Sequence, residues 1–277
     1  MTQRTWHLMA VLLLAALPIM AQTDRLAGVP TQKIAQSYEE RIARALRIEV
    51  PANRDQELIK VAFDQAKSGQ YADAKNTIWS YVENKDWGFA SLVTAGVGNG
   101  LYEDAMSALA LIENAELRAI GFKQVAEAQA KSGDVTGARQ TLLAGLDDAL
   151  KGEKISDRRF TMHHIVEGMA AAGLTDDMRN TLRLFEASDL HGGYLAAAIV
   201  QAQRGDVEEA KWTIRQAVKL AQEDNEWADS RLAQIVAVQV DAGFLKDARE
   251  TAAMIKNVSL KRSATRSISL AENKRKE

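Results

Sequence analysis

Side chains that could bind a metal ion or transfer protons are concentrated in one short stretch of the chain. His163 and His164 are followed by Glu167, and His164 and Glu167 stand one helical turn apart if this stretch is a helix. His191 follows further along the chain. Imidazole and carboxylate groups are zinc ligands, so one hypothesis is a metal-dependent enzyme built around this set. A surface histidine pair is common, however, and a full ligand set is not evident, so we assign no metal site.

The rest of the sequence contains none of the usual catalytic patterns. It has no serine-nucleophile elbow, no HExxH and no cysteine, which excludes thiol catalysis and disulfides. The glycine-rich stretch AGVGNG, which ends at Gly100, has neither a preceding strand nor a following Gly-Lys-Ser/Thr. We interpret its glycines as sites of close helix packing. We therefore expect a protein that is not an enzyme, with no catalytic residue and no cofactor.

The elements that carry these side chains are organised around a repeated glycine. Apolar residues stand eleven, eight and three positions before it, and five positions after it comes an alanine in five of six copies. This spacing is typical of an amphipathic helix that a glycine ends in the left-handed conformation. The pattern predicts antiparallel helix pairs, each with a first and a second helix, joined at Gly69, Gly100, Gly133, Gly173, Gly205 and Gly243.

The second helices share further features. Acidic residues such as Asp176 and Asp177 cluster in the first turn, where they complement the helix dipole, and we interpret them as structural. A basic residue recurs six positions after the glycine and a threonine eight positions after it. We expect the threonines to pack or to bond back to their helix, and the bases to extend along a solvated face. Similar stretches after Gly133 and Gly205 predict two longer second helices, from duplication of a two-repeat unit.

This set of offsets resembles the tetratricopeptide repeat (TPR), whose large apolar, apolar, glycine and alanine positions coincide with it. The resemblance covers roughly residues 54 to 270. Two features differ: the usual tyrosine four positions before the glycine is replaced, mostly by glutamine, and the usual proline after the second helix is absent. The resemblance implies an all-α fold, an α-solenoid of antiparallel helix-turn-helix repeats that forms a TPR-like superhelix.

In such arrays the first helices line a concave groove, and the matching positions lie thirteen, ten, six and two residues before each glycine. A groove with mixed aromatic and charged side chains suits an extended segment of a partner protein. Lys123, Glu127 and Lys131 have the spacing of a charge ladder on one helix, and His163 with Glu167 repeats it. The resemblance makes these partner-binding candidates: Phe63, Lys67, Trp87, Lys123, Glu127, Lys131, Phe160, His163 and Glu167.

The first 21 residues have the composition of a secretory signal peptide. Arg4 precedes an apolar run from Leu8 to Ile19, and Ala21 precedes a polar residue. We expect cleavage after Ala21 and export to the periplasm or the medium, with no stable membrane insertion afterwards. The alternative is an uncleaved anchor, although twelve apolar residues are too few to span a bilayer comfortably.

The chain then divides into four segments. Residues 1–21 are the signal peptide, and 22–53 are a leader and an N-terminal capping helix, which we expect to run from Thr31 to about Arg47. Residues 54–260 hold six TPR-like repeats, the first of them capped by Asn53. Residues 261–277 form a C-terminal capping helix and a basic tail, which cover the end of the array.

These features predict a function in binding. A net charge of −2 does not indicate the basic surface that nucleic-acid binding usually requires. We expect a non-enzymatic protein–protein interaction scaffold of the bacterial periplasm or cell envelope, which binds a partner segment in its concave groove. The alternative is a module that binds an envelope glycan or assists an envelope enzyme. Stacked aromatic residues would favour a glycan, and their scarcity here argues mildly against it.

Overall fold

A computed structural model describes residues 31–152, 155–224 and 226–274, so the predicted signal peptide lies outside the described residues. The chain divides into two units, Met1–Glu40 and Arg41–Glu277. Of the first unit, only the start of the first helix is described.

The described residues form fourteen α-helices and no strand. They are α1 Thr31–Ala45, α2 Pro51–Lys67, α3 Tyr71–Tyr81, α4 Lys85–Gly98, α5 Tyr102–Leu109, α6 Ala115–Lys131, α7 Val135–Lys151, α8 Ile155–Ala171, α9 Thr175–Leu182, α10 Ala187–Arg204, α11 Val207–Glu223, α12 Ala228–Asp241, α13 Leu245–Met254 and α14 Val258–Lys274.

The helices from α2 onward pack as six consecutive pairs, and each first helix also packs on the first helix of the next pair. The last helix, α14, packs on both members of the sixth pair. The second helices α7 and α11 each have 17 residues, whereas the other four have 8 to 11. The predicted all-α helical-repeat fold and the two longer second helices are therefore confirmed.

Each pair is joined at a left-handed glycine, as predicted. The six repeated glycines have φ between 71° and 93°, and no other described residue has a positive φ. After each glycine the next amide donates to the carbonyl of the residue four positions before the glycine, as in Asp134 N to Gln129 O at 2.9 Å. The residues five positions after the glycines, which are Ala74, Ala105, Ala138, Met178, Ala210 and Ala248, have no exposed surface.

A buried hydrogen bond between side chains joins the two helices in three of the pairs. The hydroxyl of Thr141 donates to Gln129 Oε1 at 2.8 Å, and that of Thr213 donates to Gln201 Oε1 at 2.7 Å. Thr77 and Gln65 form the same contact at 2.9 Å. Of the two alternatives that the sequence offered, these threonines are packed in the interior, and their hydroxyls bond the facing helix instead of their own. The buried glutamine amide on the facing helix needs a partner, and the hydroxyl supplies it.

The recurring basic residues also have partners that the sequence did not suggest. Arg139 pairs with Asp177 at 2.7 Å, and Arg179 pairs with Glu209 at 2.7 Å. Each pair links the second helix of one repeat to the first turn of the next second helix. The prediction of a merely solvated basic face is wrong at these positions, because an acidic residue of the neighbouring repeat lies within reach. Because these side chains are solvated, such pairs contribute little to stability.

An aspartate fixes the connection between pairs in three repeats. Asp55 accepts hydrogen bonds from Glu83 N at 3.1 Å and from Asn84 N at 2.9 Å, where α3 ends and α4 begins. Asp86 and Asp229 stand at the same offset in their repeats and accept the equivalent bonds. Each carboxylate thus satisfies two amides that no helix bonds, which fixes where the next pair starts.

Two local predictions need correction. The first repeat helix begins at Pro51 with Val50 as its N-cap, so Asn53 is not the cap. Proline at the first helical position has the backbone angle of a helix already and needs no amide partner there, which explains the earlier start. The capping helix α1 ends at Ala45, slightly before Arg47.

The left-handed glycines should resist substitution for a backbone reason alone. A Cβ at Gly133 would meet no atom within 4 Å, yet its φ is 93°. We expect Gly133→Ala to lower the free energy of urea-induced unfolding by about 1 to 2 kcal/mol. Gly98→Ala is the control, since that site is equally open but helical, and alanine there should be neutral or stabilising. Equal losses in both variants would contradict this explanation.

The threonine–glutamine contact can be tested in the same way. Thr213→Val leaves the buried Gln201 oxygen without its donor, so we expect a loss of about 1 to 3 kcal/mol in unfolding free energy. Adding Gln201→Leu should recover part of it. Thr251→Val is a matched control, because Thr251 is also buried but Gln239 Oε1 opposite it accepts no hydrogen bond from the described residues. A loss at Thr251 as large as at Thr213 would show that the hydrogen bond is not the cause.

Candidate functional site

The predicted groove positions of neighbouring first helices adjoin in the structure. Lys123 lies on α6 ten residues before its glycine, and Glu167 lies on α8 six residues before its own. Lys123 Nζ is 2.6 Å from Glu167 Oε2, and each side chain is about one-quarter exposed. The predicted pairing of Lys123 with Glu127 on the same helix is therefore wrong. The carboxylate of the next helix lies closer and in a less solvated environment.

Glu167 is the electrostatic centre of this contact. Its Oε2 also lies 3.3 Å from His164 Nδ1. Burial by itself would raise the pKa of Glu167, but hydrogen bonds and charges from His164 and Lys123 outweigh it and lower this pKa to about 2. The Glu167 carboxylate thus contacts two basic side chains. Because one of them, Lys123, lies on α6, Glu167 links α8 to α6 and also forms part of the surface.

The other predicted groove residues on the first helices take no part in the Lys123–Glu167 ion pair. Phe63 is partly buried against the core, and the Lys67 ammonium lies 5.8 Å from the centre of its ring. Trp87 on α4 is half-buried, as is Glu127 on α6, and Lys131 is exposed at the end of α6. We name Phe63, Lys67, Trp87, Lys123, Glu127, Lys131 and Glu167 the first-helix stripe.

Phe160 and His163 line a different feature, a cavity of about 450 Å³ between α8, α10 and α12. Phe160 is 46% exposed at this cavity, and Trp227, which precedes α12, is 55% exposed. His163 and His164 are adjacent in sequence but face different places, the cavity and Glu167 respectively. The cavity lining also includes Arg159, Asp189, His191, Gly192, Ser230, Arg231 and Gln234.

Both histidines of the cavity are held in the neutral form. Burial lowers the pKa of His163, an effect that the backbone of Asp189 partly offsets. Its ring lies 5.2 Å from that of Phe185, and a Cβ at Gly192 would come within 3.3 Å of its Nε2, so glycine there allows the close approach. His191 is 5% exposed, and burial together with the charge of Arg231 lowers its pKa.

Ion pairs balance the charges around the cavity. Arg231 Nη1 is 3.1 Å from Asp224 Oδ2, and Arg159 Nη1 is 3.5 Å from Asp189 Oδ1. Asp224 also accepts hydrogen bonds from the amides of Glu226 and Trp227, at 2.8 and 2.7 Å. These amides, that of Trp227 first, lower the pKa of Asp224. One carboxylate therefore fixes both the turn that carries Trp227 and the arginine beside it.

The candidate metal set of the sequence is divided between two places. His164 contacts Glu167, whereas His163 and His191 line the cavity. Within the part of the chain that the structure describes, no three histidine or acidic side chains are grouped so that they could hold a metal ion.

Trp227, Arg231 and Gln234 of the cavity were not anticipated, whereas His191 was grouped with His163 in the candidate metal set and does line the same cavity. One signal was present in the sequence. His191 stands fourteen positions before its glycine, where three other repeats have the aspartate that fixes the connection between pairs. Ala119 and Arg159 occupy this position in the other two repeats, and Arg159 also lines the cavity, so the absence of the aspartate does not by itself identify the cavity.

Comparison with known proteins gives little guidance. No protein-family model and no curated protein matches the chain. A solved structure, the crystal structure of Ton1535 from Thermococcus onnurineus NA1, is similar at 15% identity, with 88% of this chain and 91% of that chain covered and a TM-score of 0.30. Similarity at this level carries no argument about function. None of the described helices is both long and apolar enough to span a membrane.

The low pKa of Glu167 predicts a pH-dependent contribution to stability. A folded-state pKa of about 2, below the ordinary 4.5, means that the contribution is complete above pH 4.5 and is lost as the pH falls towards 2. We expect Glu167→Gln to cost about 1 to 3 kcal/mol of unfolding free energy near pH 7, and less near pH 3. Glu127→Gln, on the same stripe but outside this ion pair, is the control. A cost for Glu167→Gln that does not change with pH would contradict the assignment.

Proposed function

We propose that this protein is a non-enzymatic interaction scaffold of the bacterial periplasm or cell envelope. In this proposal the helix pairs are TPR-like repeats, and a segment of a partner protein binds across the first-helix stripe. The observation that carries the proposal is the Lys123–Glu167 contact. It joins stripe positions of successive first helices, so that residues far apart in sequence form one surface.

Charged side chains have different roles on the first and the second helices, which supports this proposal. On the second helices, charged side chains are used to link repeats, as in the Arg139–Asp177 pair. On the stripe, Lys67 and Lys131 remain exposed, and the Lys67 ammonium lies 5.8 Å from the centre of the Phe63 ring. Half-buried aromatic rings next to charges that can be desolvated are the features of an interface anchor.

The chemistry of the stripe favours a protein segment as the partner. Lys123 and Glu167 present opposite charges on neighbouring helices, with Glu127 and Lys131 further along α6. An extended segment crossing the helices would meet these alternating charges at the spacing of successive helices. Complementary charge then sets register and encounter rate, while the aromatic residues supply most of the affinity. The export expectation rests on the N-terminal sequence and makes an envelope partner the natural candidate.

A site-specific cross-linking experiment tests the proposal. Benzoylphenylalanine would replace Trp87 or Lys131 on the stripe, and Arg215, exposed on the second helix α11, as the control. After irradiation in the envelope of the source organism, we expect the same protein adduct at both stripe positions and none at Arg215. An adduct at Arg215 alone, or none anywhere, would contradict the proposal.

The captured partner then allows a quantitative test. The triple variant Trp87→Ala, Lys123→Ala, Lys131→Ala should weaken its affinity by about tenfold or more, because an aromatic anchor and two charges are lost together. Circular dichroism would confirm that the variant remains helical. Unchanged affinity in the folded variant would place the partner on another surface.

A further inference from the structure

The cavity between α8, α10 and α12 is separate from the first-helix stripe and contains polar groups without partners. In the described part of the chain, few buried side-chain nitrogen or oxygen atoms lack a hydrogen bond, and three of them belong to the cavity histidines. These atoms are His163 Nε2 and both ring nitrogens of His191. A buried polar atom without a hydrogen-bond partner destabilises the folded protein. A site that contains several such atoms therefore suits a ligand that supplies the missing hydrogen bonds.

His191 specifies what such a ligand must offer. The ring is 95% buried, since only 5% of the residue is exposed, and it lines the cavity. The side chain of Gln234 and the backbone of Ala217 approach it closely enough to raise its pKa slightly, but neither reaches hydrogen-bonding geometry. A neutral imidazole has one donor and one acceptor nitrogen. The ring nitrogen that meets the ligand donates in one tautomer and accepts in the other, so a ligand group that can do either is best suited to it.

The charge balance of the cavity excludes a strong preference for ions. Each cavity arginine is paired with an aspartate: Arg159 with Asp189 in the lining, and Arg231 with Asp224 just outside it, so the four charged groups sum to zero. The two histidines are neutral and add no charge. An anion would therefore gain little from the electrostatic field of the site, and an ionised carboxylate or phosphate could not donate to the acceptor nitrogen of a histidine.

The aromatic side chains of the cavity supply flat apolar surfaces. Trp227 and Phe160 are both about half exposed, and the Arg159 guanidinium lies 5.0 Å from the centre of the Phe160 ring. Exposed aromatic rings beside planar polar side chains suit a ligand with one apolar face and a polar edge. A cavity of about 450 Å³ lies within the range of small-molecule sites.

We propose that this cavity binds a neutral saccharide. The C–H face of a sugar ring packs on Trp227, and the hydroxyls at its edge both donate to and accept from His191, with Gln234 and Asp189 bonding adjacent hydroxyls. A hydroxyl can donate or accept, so it can bond a neutral imidazole in either tautomer. A peptide segment fits less well, because its N–H and C=O groups point to opposite edges of the chain.

Binding of sugars to the chain from Gln22 onward, the predicted mature form, is the direct test. Saturation-transfer NMR would be recorded with methyl glycosides of glucose, mannose and galactose and with N-acetylglucosamine. Glucuronic acid and an acetylated tripeptide amide serve as the charged and peptide comparisons. We expect saturable binding of at least one neutral sugar, with a Kd on the order of millimolar, and weaker binding of both comparisons. No neutral sugar binding, or tighter binding of either comparison, would overturn the proposal.

Three variants locate the site. Trp227→Ala and His191→Phe should each weaken sugar binding by about tenfold or more. Trp79→Ala is the matched control, because Trp79 is 61% exposed on the second helix α3 and does not line the cavity. His191→Phe keeps a ring of similar size and removes the unpartnered nitrogens, so its melting temperature should stay equal or rise while binding is lost.

Retained sugar affinity in His191→Phe, or an equal loss in Trp79→Ala, would place any binding elsewhere and overturn the assignment. The stripe experiment at Trp87 and Lys131 uses none of these residues. The two proposals can therefore fail independently of each other.

Discussion

The close contact between the two helices of each pair is the constraint on which the rest of the structure depends. A left-handed glycine such as Gly133 ends the first helix, and a fully buried small residue such as Ala138 lets the second helix approach. One such pair cannot bury both of its apolar faces, so it becomes stable only by packing on the next pair. Six repetitions of this hinge therefore yield an extended core, in which buried residues from Ala45 to Ala197 form one cluster and those from Ala198 to Ile268 a second. They also set which side of each helix remains available to a ligand.

Polar side chains around this hinge divide into structural and available groups. The glutamine–threonine contacts lie inside the pairs, the aspartates such as Asp55 fix the connections, and pairs such as Arg139–Asp177 link second helices. These groups are satisfied by each other and leave little capacity for a partner. Three of the unsatisfied atoms belong instead to His163 and His191, which line the cavity between α8, α10 and α12. Together with the Lys123–Glu167 contact of the stripe, they lead us to place binding on the first helices, although Trp79 is also exposed on the second helix α3.

The sequence predicts the hinges and the helix pairs well, because glycine and alanine spacing reports directly on local backbone geometry. It does not predict which side chains meet between helices. Gln129 and Thr141 were both recognised as recurring residues, yet their contact depends on the rotation of two facing helices. The partner of Lys123 was misplaced for the same reason, since Glu167 is distant in sequence. His191 was recognised as a possible metal ligand, but the sequence does not show that it lines a cavity with Trp227, because that contact depends on how three helices pack.

Hydrogen–deuterium exchange would test the central claim most directly. Exchange would be measured for the protein alone and for its complex with the purified partner that cross-linking identifies. The claim is that the first-helix side binds and the second-helix side holds the repeats together. We predict slower exchange in α4, α6 and α8 when the partner is bound, with α5, α7 and α9 unchanged. Slower exchange confined to α5, α7 and α9 would show that the partner binds the opposite side, and would contradict the claim.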